Sequence, residues 1–108
     1  MQSTMEGTVQ MPTATAQMVA EDGTSWLLQY FLQTYQSSDM TQMYGVRVEK
    51  LSSEGKLLES KETFAITDDR DKALKVIDFL ASGDVPPCVL MEMVHDWLSG
   101  EVETAVVA

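Results

Sequence analysis

The sequence predicts an α+β fold: an antiparallel meander sheet of three or four strands followed by two α-helices packed on one face. Two observations carry this. Before Thr67 apolar residues alternate with polar ones between short glycine-containing turns, and after it they recur at helical spacing. Strands grouped ahead of helices build antiparallel layers, whereas a parallel sheet would interleave them.

Residues 1–13 are polar, carry Pro12 and show no stripe, so they are expected to be a flexible lead-in to a single domain over 14–100, with 101–108 as a tail. Ala14, Ala16, Met18 and Ala20 alternate with their neighbours, as a short strand requires. Trp26 to Tyr35 is rich in aromatics, and Trp26, Leu28, Tyr30 and Leu32 line one face. So long an uncharged segment would invite aggregation at an edge, so it is expected inside the sheet, paired with Ala14–Ala20. Glu21-Asp22-Gly23 is the turn between them.

Tyr44, Val46 and Val48 alternate with Gly45, Arg47 and Glu49, and Lys56–Ile66 follows the same rule with Leu58, Phe64 and Ile66. Opposed residues of a hairpin share a side of the sheet, so even numbers on both strands require an odd connection. Ser53-Glu54-Gly55 supplies it, with Gly55 in the left-handed conformation. In this register Val46 and Phe64 share the buried layer, and Arg47 and Glu49 lie on the solvent face near Lys61 and Glu59.

Thr67 or Asp68 is expected to cap the first helix, with Asp69 and Asp71 in its first turn. Ala73, Leu74, Val76, Ile77, Leu80 and Ala81 form its apolar face, and Gly83 stands where a left-handed terminator belongs. Pro86 and Pro87 make a corner and preset a second helix. Its buried stripe is Leu90, Met93, Val94, Trp97 and Leu98, and Gly100 is expected to close it.

All seven Lys and Arg residues fall between Arg47 and Lys75. The net charge of -10 divides into -4 over residues 1–40, 0 over 41–67 and -6 over 68–108. Phosphate backbones and anionic lipid surfaces are gripped by clustered cations, so neither nucleic acid nor membrane is an expected partner. Cys88 is the only cysteine, which forbids an intrachain disulfide and suits a reducing compartment, and no secretory leader is evident. A cytoplasmic location is expected.

No catalytic constellation emerges. His95 lies near Cys88, Met91, Glu92 and Asp96 on the second helix, but too few fixed ligands accompany it for a tight metal site. Two helical turns place Cys88 and His95 about 10 Å apart, too far for a nucleophile and its base. Asp68, Asp69 and Asp71 lack the glycine and closing Glu of a calcium loop, and no phosphate-binding glycine loop is present. The second helix has no Lys or Arg, which excludes it as a DNA-reading helix. No cofactor is expected. Of the eight methionines, Met93 and Met91 are assigned to packing, leaving Met18, Met40 and Met43 as candidate contact residues.

The run Tyr44-Gly45-Val46-Arg47-Val48-Glu49, then Phe64-Ala65-Ile66-Thr67, then Ser82-Gly83-Asp84-Val85-Pro86-Pro87 with Leu90 and Asp96-Trp97-Leu98, resembles a family of small clostridial-type Firmicutes proteins described only as a domain of unknown function. The resemblance covers roughly Trp26 to Leu98. Its motifs are structural, and it implies no activity and no site residues.

The expected function is that of a non-enzymatic bacterial domain acting through a protein partner or as a homodimer, with the N-terminal strand in the contact, because sheet edges pair readily with other chains. The alternative is a small-molecule binder or small enzyme with a pocket between sheet and helices, using Tyr30, Tyr35, Tyr44 and His95 as its polar groups. A third class, an acidic mimic of nucleic acid, needs carboxylates arrayed along one face.

Overall fold

Alternation of apolar and polar side chains holds four consecutive segments extended. Ala14–Val19 (β1), Ser25–Gln36 (β2), Gln42–Ser52 (β3) and Leu57–Glu62 (β4) form one antiparallel sheet in the order β1-β2-β3-β4. Two helices follow, Arg70–Ser82 (α1) and Leu90–Val107 (α2), the second entered through a 3₁₀ turn at Pro87–Val89. The computed structural model describes residues 11–107, with side chains to Ser99. Most of the expected lead-in, residues 1–10, and the tail residue Ala108 lie outside the described residues.

The fold class is the one the sequence predicts. β1 pairs with β2 within its own chain, Ala16 opposite Leu28 and Met18 opposite Trp26, so the aromatic strand is interior. Even-numbered side chains of β1, β2 and β3 share the helix-covered face. There Leu28, Tyr30, Val46 and Val48 meet Val76, Ile77 and Leu80 of α1, together with Val85, Leu90 and Val94. Both glycine turns form as expected, with φ of +89° at Gly23 and +88° at Gly55.

The expected register of β4 is overturned beyond its turn. Leu51 opposes Leu57, but Lys50 opposes Glu59, so Leu58 is an extra residue in a bulge. One added residue exchanges the two faces of everything after it. Lys61 now lies opposite Val48, and Arg47 and Glu49 face Glu62 and Ser60 instead of Lys61 and Glu59. Leu58 is exposed, and Phe64, expected beside Val46 in the core, is 84% exposed. Thr63 takes the core position instead, fully buried. Its amide donates to the Val46 carbonyl at 2.8 Å and its Oγ1 accepts the Val46 amide at 2.9 Å. After Phe64 and Ala65 the chain re-engages β3, with the Ile66 amide donating to the Tyr44 carbonyl, and Ile66 packs against the core as expected.

The helix ends also differ from expectation in detail. The cap of α1 is Asp69, not Thr67 or Asp68. Its Oδ1 accepts from the Asp71 and Lys72 amides, while Thr67 Oγ1 accepts from the Asp69 amide. Gly83 has φ -98°, and the left-handed residue is Asp84 at +52°. The Val85 amide reaches back to the Leu80 carbonyl and the Asp84 amide to that of Ala81, which places Gly83 at the cap and Asp84 just beyond it. Gly100 does not end α2, which continues to Val107. Met91, assigned to packing, is exposed.

Candidate functional site

An open sheet ends in two edges, and these two differ in chemistry. At the end of β1 the Ala20 amide donates to the Thr24 carbonyl, so even-numbered residues direct their backbone groups at β2. The amides and carbonyls of Thr15, Gln17 and Val19 therefore point away from the sheet, and no strand among the described residues lies on that side. The strand Ala-Thr-Ala-Gln-Met-Val has no charge, no proline and an unbroken register with β2. Thr15, Gln17 and Val19 are exposed, and Val19 is 65% so.

The β4 edge carries two devices that β1 lacks, charge and a bulge. Glu59, Lys61 and Glu62 place charge along it, and the bulge at Leu58 interrupts its regular spacing. Charge and bulges are the usual means of keeping an edge from pairing with a foreign strand.

Two of the hydroxyls expected as pocket groups, those of Tyr30 and Tyr35, lie on opposite faces of the sheet. Tyr30 is fully buried in the core, and its hydroxyl donates to the Val85 carbonyl at 2.9 Å. Burial and then the Asp84 carboxylate push its pKa up to about 12. Tyr35, odd-numbered on the same strand, faces the other side of the sheet and donates to the Thr63 carbonyl at 2.9 Å. Burial and the Glu62 carboxylate raise its pKa. Tyr44 is half-buried on β3, and His95 is exposed on α2.

The candidate contact methionines separate as well. Met18 packs against the core from β1, Met43 is half-buried, and Met40 is 72% exposed with φ +73° in the β2–β3 connection. There Asp39 Oδ1 accepts from the Ser37 hydroxyl and the Thr41 amide, which holds its carboxyl down at about 2. A cleft of about 260 Å³ lies between β4 and the 3₁₀ turn, lined by Glu59, Ser60, Lys61, Pro87 and Cys88. Among the described residues no group of three or more His, Cys, Asp or Glu is placed to hold a metal ion. No helix there is long and apolar enough to cross a membrane.

Alternation in the sequence does not single out the row Thr15, Gln17 and Val19. Its signal is the absence of any charged residue from Gly7 to Ala20 in a chain of net charge -10.

Fold and edges define a small α+β domain built on an open meander. Residues 9–100 match the model of the family described as Family of unknown function (DUF6514), and the chain belongs to that family. No curated protein and no solved structure matches it.

Proposed function

We propose that this chain is a non-catalytic, cytoplasmic interaction domain that binds another polypeptide by adding a strand to the outer edge of β1. The observation behind this reading is the contrast between edges: β4 is charged and bulged, whereas β1 offers Thr15, Gln17 and Val19 on an uncharged, regular strand. In strand addition the main chain supplies hydrogen bonds and alternate side chains supply selectivity. The separation of the Tyr30 and Tyr35 hydroxyls onto opposite faces of the sheet favours this reading over a polar pocket between sheet and helices.

A synthetic peptide of residues 13–20, titrated into the full chain, tests the edge directly. The amide resonances of Thr15, Gln17 and Val19 should shift on titration, and Gln17→Pro should abolish the response. That substitution removes an outward amide and leaves the β1–β2 hydrogen bonds in place. Shifts confined to β4, or no shifts at a chain concentration low enough for the protein to be monomeric, would refute the proposal.

A further inference from the structure

Resting on that reading, we infer that the strand received by β1 is the β1 of a second copy, in a two-fold antiparallel pairing with Gln17 on the axis. The charge distribution selects this occupant and this direction. Between Met11 and Ala20 the chain has no charged side chain, but Glu21 and Asp22 follow at once in the turn. A parallel pairing would set these acids side by side in two chains that each carry -10. The antiparallel pairing centred on Gln17 puts Glu21 level with residue 13 of the other copy. The two turns then lie about 27 Å apart along the strands, well beyond a Debye length of about 8 Å at physiological salt.

Side-chain order agrees with the same register. A two-fold pairing must be self-complementary, because each contact is made twice. Centred on Gln17, it places Gln17 against Gln17 and Thr15 against Val19 on the exposed face. On the helix-covered face it sets Ala16 against Met18 and Ala14 against Ala20. Every pair is uncharged, and each joins small, β-branched, thioether or amide-bearing side chains that fit side by side on a sheet. Thr15, Gln17 and Val19 are also the residues whose backbone groups point outward, so the Gln17 pair on the dyad and the Thr15–Val19 pairs beside it are the hydrogen-bonded ones. The result is one sheet of eight strands, twice the four among the described residues of one chain, with the charged β4 strands at its outer edges.

Cysteine placement reads this register. In full-length protein carrying Cys88→Ser, the variants Thr15→Cys, Gln17→Cys and Val19→Cys would be oxidised at matched concentration and the covalent dimer quantified. Hydrogen-bonded partners sit about 5.5 Å apart between Cα atoms, inside disulfide range, so Gln17→Cys should cross-link. Two copies of Thr15→Cys, or two of Val19→Cys, would hold their thiol-bearing positions about 14 Å apart, outside that range. Their dimer yield is expected to be at least tenfold lower, and mixing those two variants should restore it. Light scattering of the unmodified chain should give twice the 12.0 kDa chain mass. Cross-linking favouring position 15 or 19 alone would overturn the register, and a single-chain mass at millimolar concentration would overturn the self-pairing. Peptide addition at β1 with a monomeric chain would refute this inference and leave the edge reading standing. Failure of both would refute the edge itself.

Discussion

At Gly45 the sheet has no room for a side chain. A Cβ there would lie 2.6 Å from the Phe64 carbonyl oxygen and 2.8 Å from Thr63 Oγ1. Gly45→Ala is therefore expected to cost about 1–3 kcal/mol in urea denaturation, because backbone and a buried hydroxyl must both give way. Thr63→Val leaves the Val46 amide without its 2.9 Å acceptor and should cost a similar amount. Tyr30 adds a pH dependence. Its hydroxyl ionises near 10 when unfolded and near 12 when folded, so its contribution is complete below pH 10 and is lost as pH rises through 12. Tyr30→Phe should be less stable at neutral pH, and its deficit relative to the native chain should shrink between pH 10 and 12 in alkaline denaturation curves.

The elements show what the residue pattern encodes and where it stops. The faces of β1, β2 and β3 were legible because their alternation runs without interruption, and the odd glycine turns fixed which side is shared. β4 was not, because Leu57 and Leu58 are both apolar and nothing in their composition marks which one is extra. The buried Thr63 shows the cost of that ambiguity: a hydroxyl fits the core because it replaces a main-chain acceptor, a role visible only once register is known. At α1, Thr67, Asp68 and Asp69 are all capable caps, and backbone geometry selects Asp69. Asp69→Ala should destabilise by about 1 kcal/mol in thermal melts. Gly83→Ala is expected to change stability by less than about 0.5 kcal/mol, since φ is -98° and the nearest contact of a new Cβ is an ordinary 3.5 Å. A left-handed Gly83 would have made the same change costly. The proposed interaction edge was half legible: the sequence pointed to the N-terminal strand, but only the hydrogen-bond phase shows which three residues direct their backbone groups outward.

For the whole molecule, the proposed pairing of two copies must overcome self-repulsion. Two chains of charge -10 repel through solvent, and an uncharged strand between them gives no ionic attraction to weaken with salt. Dimer dissociation constants measured by sedimentation should accordingly fall as sodium chloride is raised, the opposite of an interface built on ion pairs. The most direct measurement is amide hydrogen exchange at Thr15, Gln17 and Val19 as a function of protein concentration. Copy-to-copy pairing at β1 predicts protection of these three amides that rises with concentration, and in Gln17→Pro the remaining Thr15 and Val19 amides lose it. Exchange that is fast at every concentration, or protection that is independent of it in a monomer, would contradict it.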